Sequence, residues 1–593
     1  MKRIISAMTA LVLCVCLFSF AGTGASDNTA DAADCIYSAM TGCETLIDIS
    51  DYDIDAEKLS GIMKSILNEF PELFHYTGTY AFSRDINGKV TEVEPRYSLS
   101  LSEYKERLAA VDAEVSALTE IIPDGASDFE KALLMHDAIA AKYEYDLDYT
   151  VRDIYNFVKW GKGVCQGYAY FYAYVLRSVG IDCDFVISEE MNHMWNIVKV
   201  GGEWYNVDVT YDDPVGSNDI PSFYGKADHL YFMRSDENFL YHKGGVKLYE
   251  CTSQKYDKYK YSDGSSPYGT WGSSAIVPFR GKYYVYADGG LFTYNPANDK
   301  LTSVLPREAI WRPWYDDVSY YNGTYSGLSL YNGSLIFNDA KHVYAYNPIA
   351  CTISELYSRD YWNDVGDIFG SYAMPDGTLR VILSKGINGE WKSETAKIGS
   401  TDGALVFADV TPKKWFYKDV KEAVARGLFN GVSTTEFAPD TAMERGMLVT
   451  VIYRMEGSPS VDGIENPFTD VGNKKYYADA VKWAYKNGIV NGMTETEFAP
   501  TGKITREQLA AILCRYESYK NGSIGDIDTA GAKGMFADWS DVSSYAKKSL
   551  AWAYEKGLVN GIANGSTLNV QPQGNATRAQ VAAILVRYLT ANK

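Results

Sequence analysis

Cysteine is scarce in this chain, nine in 593 residues. Cys14 and Cys16 fall in an apolar N-terminal stretch. The rest, Cys35, Cys43, Cys165, Cys183, Cys251, Cys351 and Cys514, form an odd, dispersed set that excludes a disulfide framework, although Cys35 and Cys43 stand near enough in sequence to bridge. No close Cys-x-x-Cys or His-x-x-x-His pair is present, so a zinc site built from Cys165, Cys183 and His193 lacks its spacing. Positive charge is also short. With 56 Lys and Arg against 76 Asp and Glu, the net charge of −20 argues against nucleic acid or an anionic membrane surface as a general partner. Beyond Phe20 no apolar run approaches the length of a membrane span, and the aspartate-rich stretches offer no distinct acid pair for cleaving polysaccharide.

The N-terminus does carry an apolar run. Lys2 and Arg3 precede Ile4 to Phe20, and small residues follow, which predicts a secretory signal over 1–25 cut near Ala25. Leu13 and Val15 are too bulky for a lipoprotein cleavage site before Cys14 or Cys16. The mature protein is exported on this reading, and its 46% hydrophobic and 22% charged composition suits several globular domains.

The most informative segment is 163–214, GVCQGYAYFYAYVLRSVGIDCDFVISEEMNHMWNIVKVGGEWYNVDVTYDDP. Ala169, Tyr172, Leu176 and Val179 recur at helical spacing before Gly180, which places Cys165 at the start of a helix. Unpaired backbone N–H groups there favour thiolate, the form that attacks carbonyl carbon. Gly201-Gly202 between two strand-like runs predicts a two-residue turn pairing Val200 with Glu203. That register pairs Trp195 with Asp208 and puts His193 diagonally across from Asp208, at a separation of roughly 7–8 Å that two side chains can span. An imidazole can carry the thiol proton to a leaving amine, and a carboxylate on its other nitrogen fixes the tautomer. The Cys165 N–H is one candidate oxyanion donor, with Tyr143, Trp160 and Gln166 as candidates for the second. His136, on an amphipathic helical run, reads as a structural histidine, His229 as a rim residue or one without a role, and Asp212 and Asp213 as turn residues before Pro214.

The motifs GVCQGYA, HMWN and WYNVDVTYDD, in this order, resemble those of the transglutaminase-like superfamily over about residues 125–240. The resemblance implies an α+β papain-like core, with the cysteine helix packed on an antiparallel sheet, and the triad roles for Cys165, His193 and Asp208. That family holds amide-crosslinking enzymes, deamidases, peptidases and inactive members, so it implies the site more narrowly than the reaction.

A second pattern begins at Phe407. FADV at 407, FTDV at 468 and FADW at 536 each lead to a glycine-marked loop, ARGLFNG, YKNGIVNG and YEKGLVNG, and then to MERGMLVTVIYR, ITREQLAAILCRY and ATRAQVAAILVRY. Thr505 with Gln508 and Thr577 with Gln580 have capping-box spacing, which sets Arg506 and Arg578 in the first turn of a helix. A guanidinium at the positive end of a helix disfavours folding unless an anion joins it. In the first repeat Glu444 replaces the capping threonine and Gly446 follows Arg445, which predicts weaker binding or a structural role. These segments resemble S-layer homology domains over nearly all of 405–591. The resemblance implies a set of three that holds an acidic secondary cell-wall polysaccharide, with Arg506, Arg578 and Arg445 meeting carboxylate. The alternative leaves the arginines only forming salt bridges with neighbouring repeats.

The reading is of a multidomain protein: signal peptide 1–25, α/β extension 26–120 shaping substrate access, papain-like α+β transglutaminase core 121–245, β-rich meander or propeller-like module 246–404, and mainly α-helical repeats at 405–462, 463–526 and 527–593. The expected activity is that of a wall-anchored cysteine enzyme acting on carboxamide or peptide bonds of a protein or peptide substrate, with no cofactor and no metal. The rival is a noncatalytic binding protein that keeps the fold and is displayed by the repeats.

Overall fold

The structure, a computed structural model, describes residues 28–213, 225–259, 274–287, 289–306, 314–315, 320–321, 326–358, 366–374, 376–385 and 390–591. The signal expected over 1–25 lies outside them. Among the described residues no helix is long and apolar enough to cross a membrane. The chain forms two compact units, Met1–Val285 with Tyr294–Lys300 and Tyr286–Thr293 with Leu301–Lys593.

The first unit opens with α1 (Thr29–Thr41), β1 (Ile47–Asp48), α2 (Ala56–Glu69) and the hairpin β2 (Tyr76–Arg84) and β3 (Val90–Tyr97), in a sheet of order β1-β3-β2. Ile36, Met40, Leu59, Ile62, Met63, Ile66 and Val93 bury one face of these elements together. Next come α3 (Leu101–Thr119) and α4 (Asp128–Lys142), each started by a serine–glutamate capping box, Ser100 with Glu103 and Ser127 with Glu130. The core continues through β4 (Glu144–Tyr145), α5 (Ile154–Trp160), β5 (Lys162–Gly163), α6 (Cys165–Ser178), β6 (Cys183–Ser188), β7 (His193–Val200), β8 (Glu203–Val207), the single turn α7 (Val209–Asp212) and β9 (Gly245–Val246). Its antiparallel sheet has the order β8-β7-β6-β9.

The helix expected to begin at Cys165 does so, and the turn sets the expected register, Val200 opposite Glu203. Gly201 and Gly202 stand at φ 62° and 90°, a left-handed pair that residues with a Cβ resist. Sheet and helix are tied by Asn196, whose Nδ2 donates to the Ala169 carbonyl at 3.0 Å. The boundary expected at 245 lies later in the structure. Tyr256 stacks on Phe129, Cys251 is buried with Trp195 and Phe239, and the Ile276 N–H donates to Asp137, so these residues complete the core of the first unit rather than a separate module. Aromatic burial, invisible to a reading based on strand alternation, draws them in.

In the second unit, strands Ser329–Tyr331, Ser334–Asn338, His342–Asn347, Thr352–Ser358 and Ala404–Leu405 form a five-stranded antiparallel sheet, and Asp367–Ala373, Thr378–Ser384 and Trp391–Lys397 a three-stranded one. Ile336, Val343 and Ala345 of the first share a core with Ile368, Leu379, Val381 and Leu383 of the second. The repeats follow, with helices Tyr417–Ala425 and Arg445–Met455, then Ala478–Lys486 and Arg506–Asn521, then Ala530–Met535, Lys547–Glu555 and Arg578–Ala591. Both expected capping boxes form. The expectation of mainly α-helical repeats needs amending: long turn-rich loops separate the helices, and the third repeat adds a hairpin, Ile562–Asn564 with Thr567–Asn569. Glycine in these loops favours turns over helix, and Asp409, Asp470 and Asp538 each accept two backbone N–H groups from a later loop of the same repeat, 28 to 33 residues further on.

Candidate active site

Cys165 opens α6 with no side-chain cap, its backbone N–H at the positive end of the helix. The thiol is half-buried and within hydrogen-bonding reach of His193, which opens β7. His193 Nε2 lies 2.6 Å from Asp208 Oδ2. Since Nε2 serves the carboxylate, Nδ1 is the ring nitrogen left for the thiol. All three predicted residues are thus brought together, in the predicted order. Burial works against a charged imidazole, yet hydrogen bonds to Asp208 and Cys165 outweigh it and push the His193 pKa up to about 10. Burial also opposes ionised Asp208, but hydrogen bonds from His193 and a second histidine, His242, hold its pKa down to about 2. The carboxylate's other oxygen, Oδ1, accepts the N–H groups of Thr210 at 3.0 Å and Tyr211 at 3.1 Å, so α7 is built on Asp208 as its cap.

The residues open into a cleft of about 710 Å³ whose lining includes Tyr145, Cys165, Gln166, Met191, His193 and Tyr211. Asn68 at the end of α2 also lines it, so the N-terminal extension does border the site. Tyr211 stacks on the His193 ring at 4.6 Å and Trp195 at 6.0 Å, fixing its plane. Of the candidate second oxyanion donors, Gln166 faces the cleft. Tyr143 does not serve, because it is buried and its hydroxyl donates to Glu114 at 2.9 Å. Trp160 is exposed beneath Lys159, away from the cleft lining. Tyr145 lines the cleft beside Cys165 and was missed, since it falls in a two-residue strand without a motif. Burial, then the neighbouring Cys165, pushes its phenol up to about 12.

A second cluster lies behind the site. His136 Nδ1 is 2.9 Å from Asp137 Oδ1, His229 Nε2 is 2.8 Å from the same oxygen, and His136 Nε2 is 3.1 Å from Asp212 Oδ2. His136 is structural, as its helical position implied. Burial opposes its charge, but the two carboxylates push its pKa up to about 9. His229 is no rim residue: it is 4% exposed. Nor are Asp212 and Asp213 mere turn residues, because Asp213 accepts the Tyr168 hydroxyl at 2.5 Å and Asp212 accepts from His136 and the Tyr231 N–H. Side chains reaching back from a short helix into the core leave no periodic trace. Both two-histidine groups bring donors close enough for a cation, and we read both as hydrogen-bond clusters because every ring already has a nitrogen at bonding distance from a carboxylate oxygen.

In the repeats, Arg445, Arg506 and Arg578 sit at the first helical positions as expected, but they are buried, 6–8% exposed. Arg445 donates to the carbonyls of Phe498 and Asn491, Arg506 to that of Val570 and to Gln580 Oε1, and Arg578 to those of Phe437 and Asn430. Each repeat grips the next and the third grips the first. Backbone N–H groups of the same arginines repeat the pattern, onto Gly502, Gly574 and Thr441. Carbonyl oxygens therefore supply the negative partner that the sequence argument assigned to an anion. Gly446 is needed for closure, since a Cβ there would stand 3.0 Å from Tyr477 and 3.1 Å from the Pro500 carbonyl.

Residues 116–209 match the model of the transglutaminase-like superfamily, and 406–446, 467–510 and 536–582 match that of the S-layer homology domain. An endoglucanase of Bacillus sp. (strain KSM-635) is 31% identical over 31% of this chain and 19% of its own length. The surface-layer 125 kDa protein of Lysinibacillus sphaericus is 31% identical over 28% of this chain and 13% of its own length. The chain thus spans less than a fifth of either relative. A solved structure titled "Crystal structure of a TGase" aligns over 25% of this chain and 47% of its own, at 13% identity and a TM-score of 0.18. S-layer homology domains bind cell-wall polysaccharide. The chain carries a transglutaminase-like domain and three S-layer homology domains, and is a secreted protein anchored at the cell wall or S-layer.

Proposed function

We propose that the protein is a wall-anchored cysteine enzyme that acts on carboxamide or peptide bonds of protein or peptide substrates through a thioester. The observation that carries this reading is His193 held between Cys165 and Asp208 at the wall of an open cleft. His193 takes the thiol proton, and the sulfur attacks the carbonyl carbon. The C=O π pair moves onto oxygen, facing the Cys165 N–H and Gln166. Collapse breaks the C–N bond, and His193 delivers its proton to the departing ammonia or amine. Water or a primary amine, deprotonated by His193, then resolves the thioester and restores the thiol. Hydrolysis and crosslinking share the acyl-enzyme and differ only in the acceptor. In the anchor, Arg445, Arg506 and Arg578 retain guanidinium N–H groups beyond those spent on carbonyls, and these are the donors we assign to carboxylates of an acidic secondary polysaccharide.

The test is intact-mass analysis of the protein with glutamine-containing peptides, with and without a primary amine, beside Cys165→Ala. A Cys165-dependent acyl adduct or product supports the enzyme. Silence across a broad peptide set, with Cys165 also inert to thiol probes, leaves a binding protein.

A further inference from the structure

His242 belongs to no motif and follows Asp208 by 34 residues, yet its Nε2 lies 2.8 Å from Asp208 Oδ2, the oxygen that His193 also uses. Its Nδ1 lies 3.2 Å from the Leu240 carbonyl. Both neighbours accept only: a carbonyl has no proton, and Asp208 is ionised across the ordinary pH range. The two bonds together require a proton on each ring nitrogen. The side chain is 2% exposed, packed on Phe239 at 3.9 Å and edge-on to Trp195 at 4.8 Å, and the ring faces can hold a cation. The titratable groups that face it are Asp208, His193 at 5.8 Å, Tyr211 at 5.0 Å and Tyr231 at 5.1 Å, with Tyr241 and Lys243 beside it in sequence. Asp208 is the only carboxylate among them.

With four donors, two on each oxygen, Asp208 has no unused acceptor site and cannot rotate without losing one of them. We propose that His242 is a positioning residue, an imidazolium that locks the Asp208 carboxylate in register and, by sharing its charge, limits how tightly His193 holds its proton. The benefit would fall on the second half of acylation, when His193 must release that proton to the leaving group. This inference rests on the proposed role of His193 and Asp208, but its test needs no substrate.

The experiment uses the full chain labelled at its histidine rings. The sequence has only six histidines, so each ring signal can be assigned from single variants. His193 is titrated by NMR in the native protein, in His242→Gln, which keeps a donor and removes the charge, and in His242→Phe, which removes both. Alkylation of Cys165 by iodoacetate is followed over the same pH range. Loss of a positive charge at this distance raises the His193 midpoint by about one pH unit in His242→Gln, and alkylation by this anion persists correspondingly higher. His242→Phe shows the same shift with slower alkylation, because Asp208 loses a donor. An unmoved or lowered midpoint in a folded His242→Gln protein overturns the inference. A raised midpoint in a protein that forms no acyl adduct keeps the inference and removes the enzyme.

Discussion

Asp208, the cap of α7, and Asp212, its last residue, serve different partners: Asp208 accepts from His193 and His242 in the site, Asp212 from His136 in the second cluster. The connection runs further. Asp212 also accepts the Tyr231 N–H, while the Tyr231 carbonyl accepts the Asp208 N–H at 3.1 Å. The buried cluster therefore fixes both sides of the backbone that carries the candidate triad carboxylate. Asp212→Asn removes one partner of a fully buried ion pair, a loss of about 3–5 kcal/mol. Urea unfolding followed by tryptophan fluorescence should show the first unit melting at a lower midpoint, and an unchanged midpoint would mean that His136 carries no charge.

The stability of this unit should depend on pH in a direction set by those histidines. His136 and His193 are raised, to about 9 and about 10, so the stability they contribute is fully present below the unfolded histidine value near 6.5 and is lost as pH rises through 9 to 10. Asp208, lowered to about 2, contributes above the unfolded carboxylate value near 4 and loses it as pH falls towards 2. The urea midpoint should be flat from about pH 5 to 6.5 and decline towards pH 10. In His136→Gln the alkaline decline should be shallower, though from a lower plateau.

Thiol reactivity gives a direct check on the triad. Without His193 the thiol loses its base, and in Asp208→Asn the group that most strongly favours the charged imidazole is gone. Alkylation of Cys165 by iodoacetamide near pH 7 should slow by at least about tenfold in His193→Ala and by a similar factor in Asp208→Asn. Equal rates in native and His193→Ala proteins would leave the fold without an activated nucleophile.

The placement of the candidate triad was legible because each of its residues stands on a pattern of local origin: Cys165 on helical spacing, His193 and Asp208 on a hairpin whose Gly201-Gly202 turn sets the register. His242, Tyr145 and Asp137 were not, since their roles depend on where loops and short strands come to rest. The repeat arginines show the opposite failure. Arg506 was located correctly and its electrostatic conflict correctly stated, but its guanidinium meets the Val570 carbonyl of another repeat, 64 residues away in sequence. A local argument can identify a missing partner without finding it.

Those arginines should therefore report on folding as well as binding. Arg506→Ala leaves the Val570 carbonyl without its guanidinium partner, a cost of about 1–3 kcal/mol. Arg506→Lys keeps the charge but cannot reproduce a planar fork. Calorimetry of the full chain should show the repeats melting earlier in both variants, more so in alanine. Cosedimentation with purified cell walls below that melting temperature isolates the binding contribution: full retention of Arg506→Ala on walls would assign the arginine to ring closure alone.

The start of the cysteine helix rests on a close approach that only glycine allows. A Cβ on Gly167 would stand 2.9 Å from the Phe157 ring, which is itself held by Tyr143 at 4.3 Å and Tyr168 at 4.9 Å between ring centres. Alanine is the better helix former by about 0.8–1.0 kcal/mol, whereas overpacking a filled core costs about 1–3 kcal/mol. With Phe157 fully buried and unable to yield, overpacking wins, and Gly167→Ala should destabilise the unit despite its helix propensity. Because Gly167 lies two residues after Cys165, the strain should also slow thiol alkylation. Phe157→Leu makes room for the added methyl, so the double variant should recover part of both losses relative to the sum of the single ones. Strict additivity in that cycle would show that the two side chains do not contend for the same space.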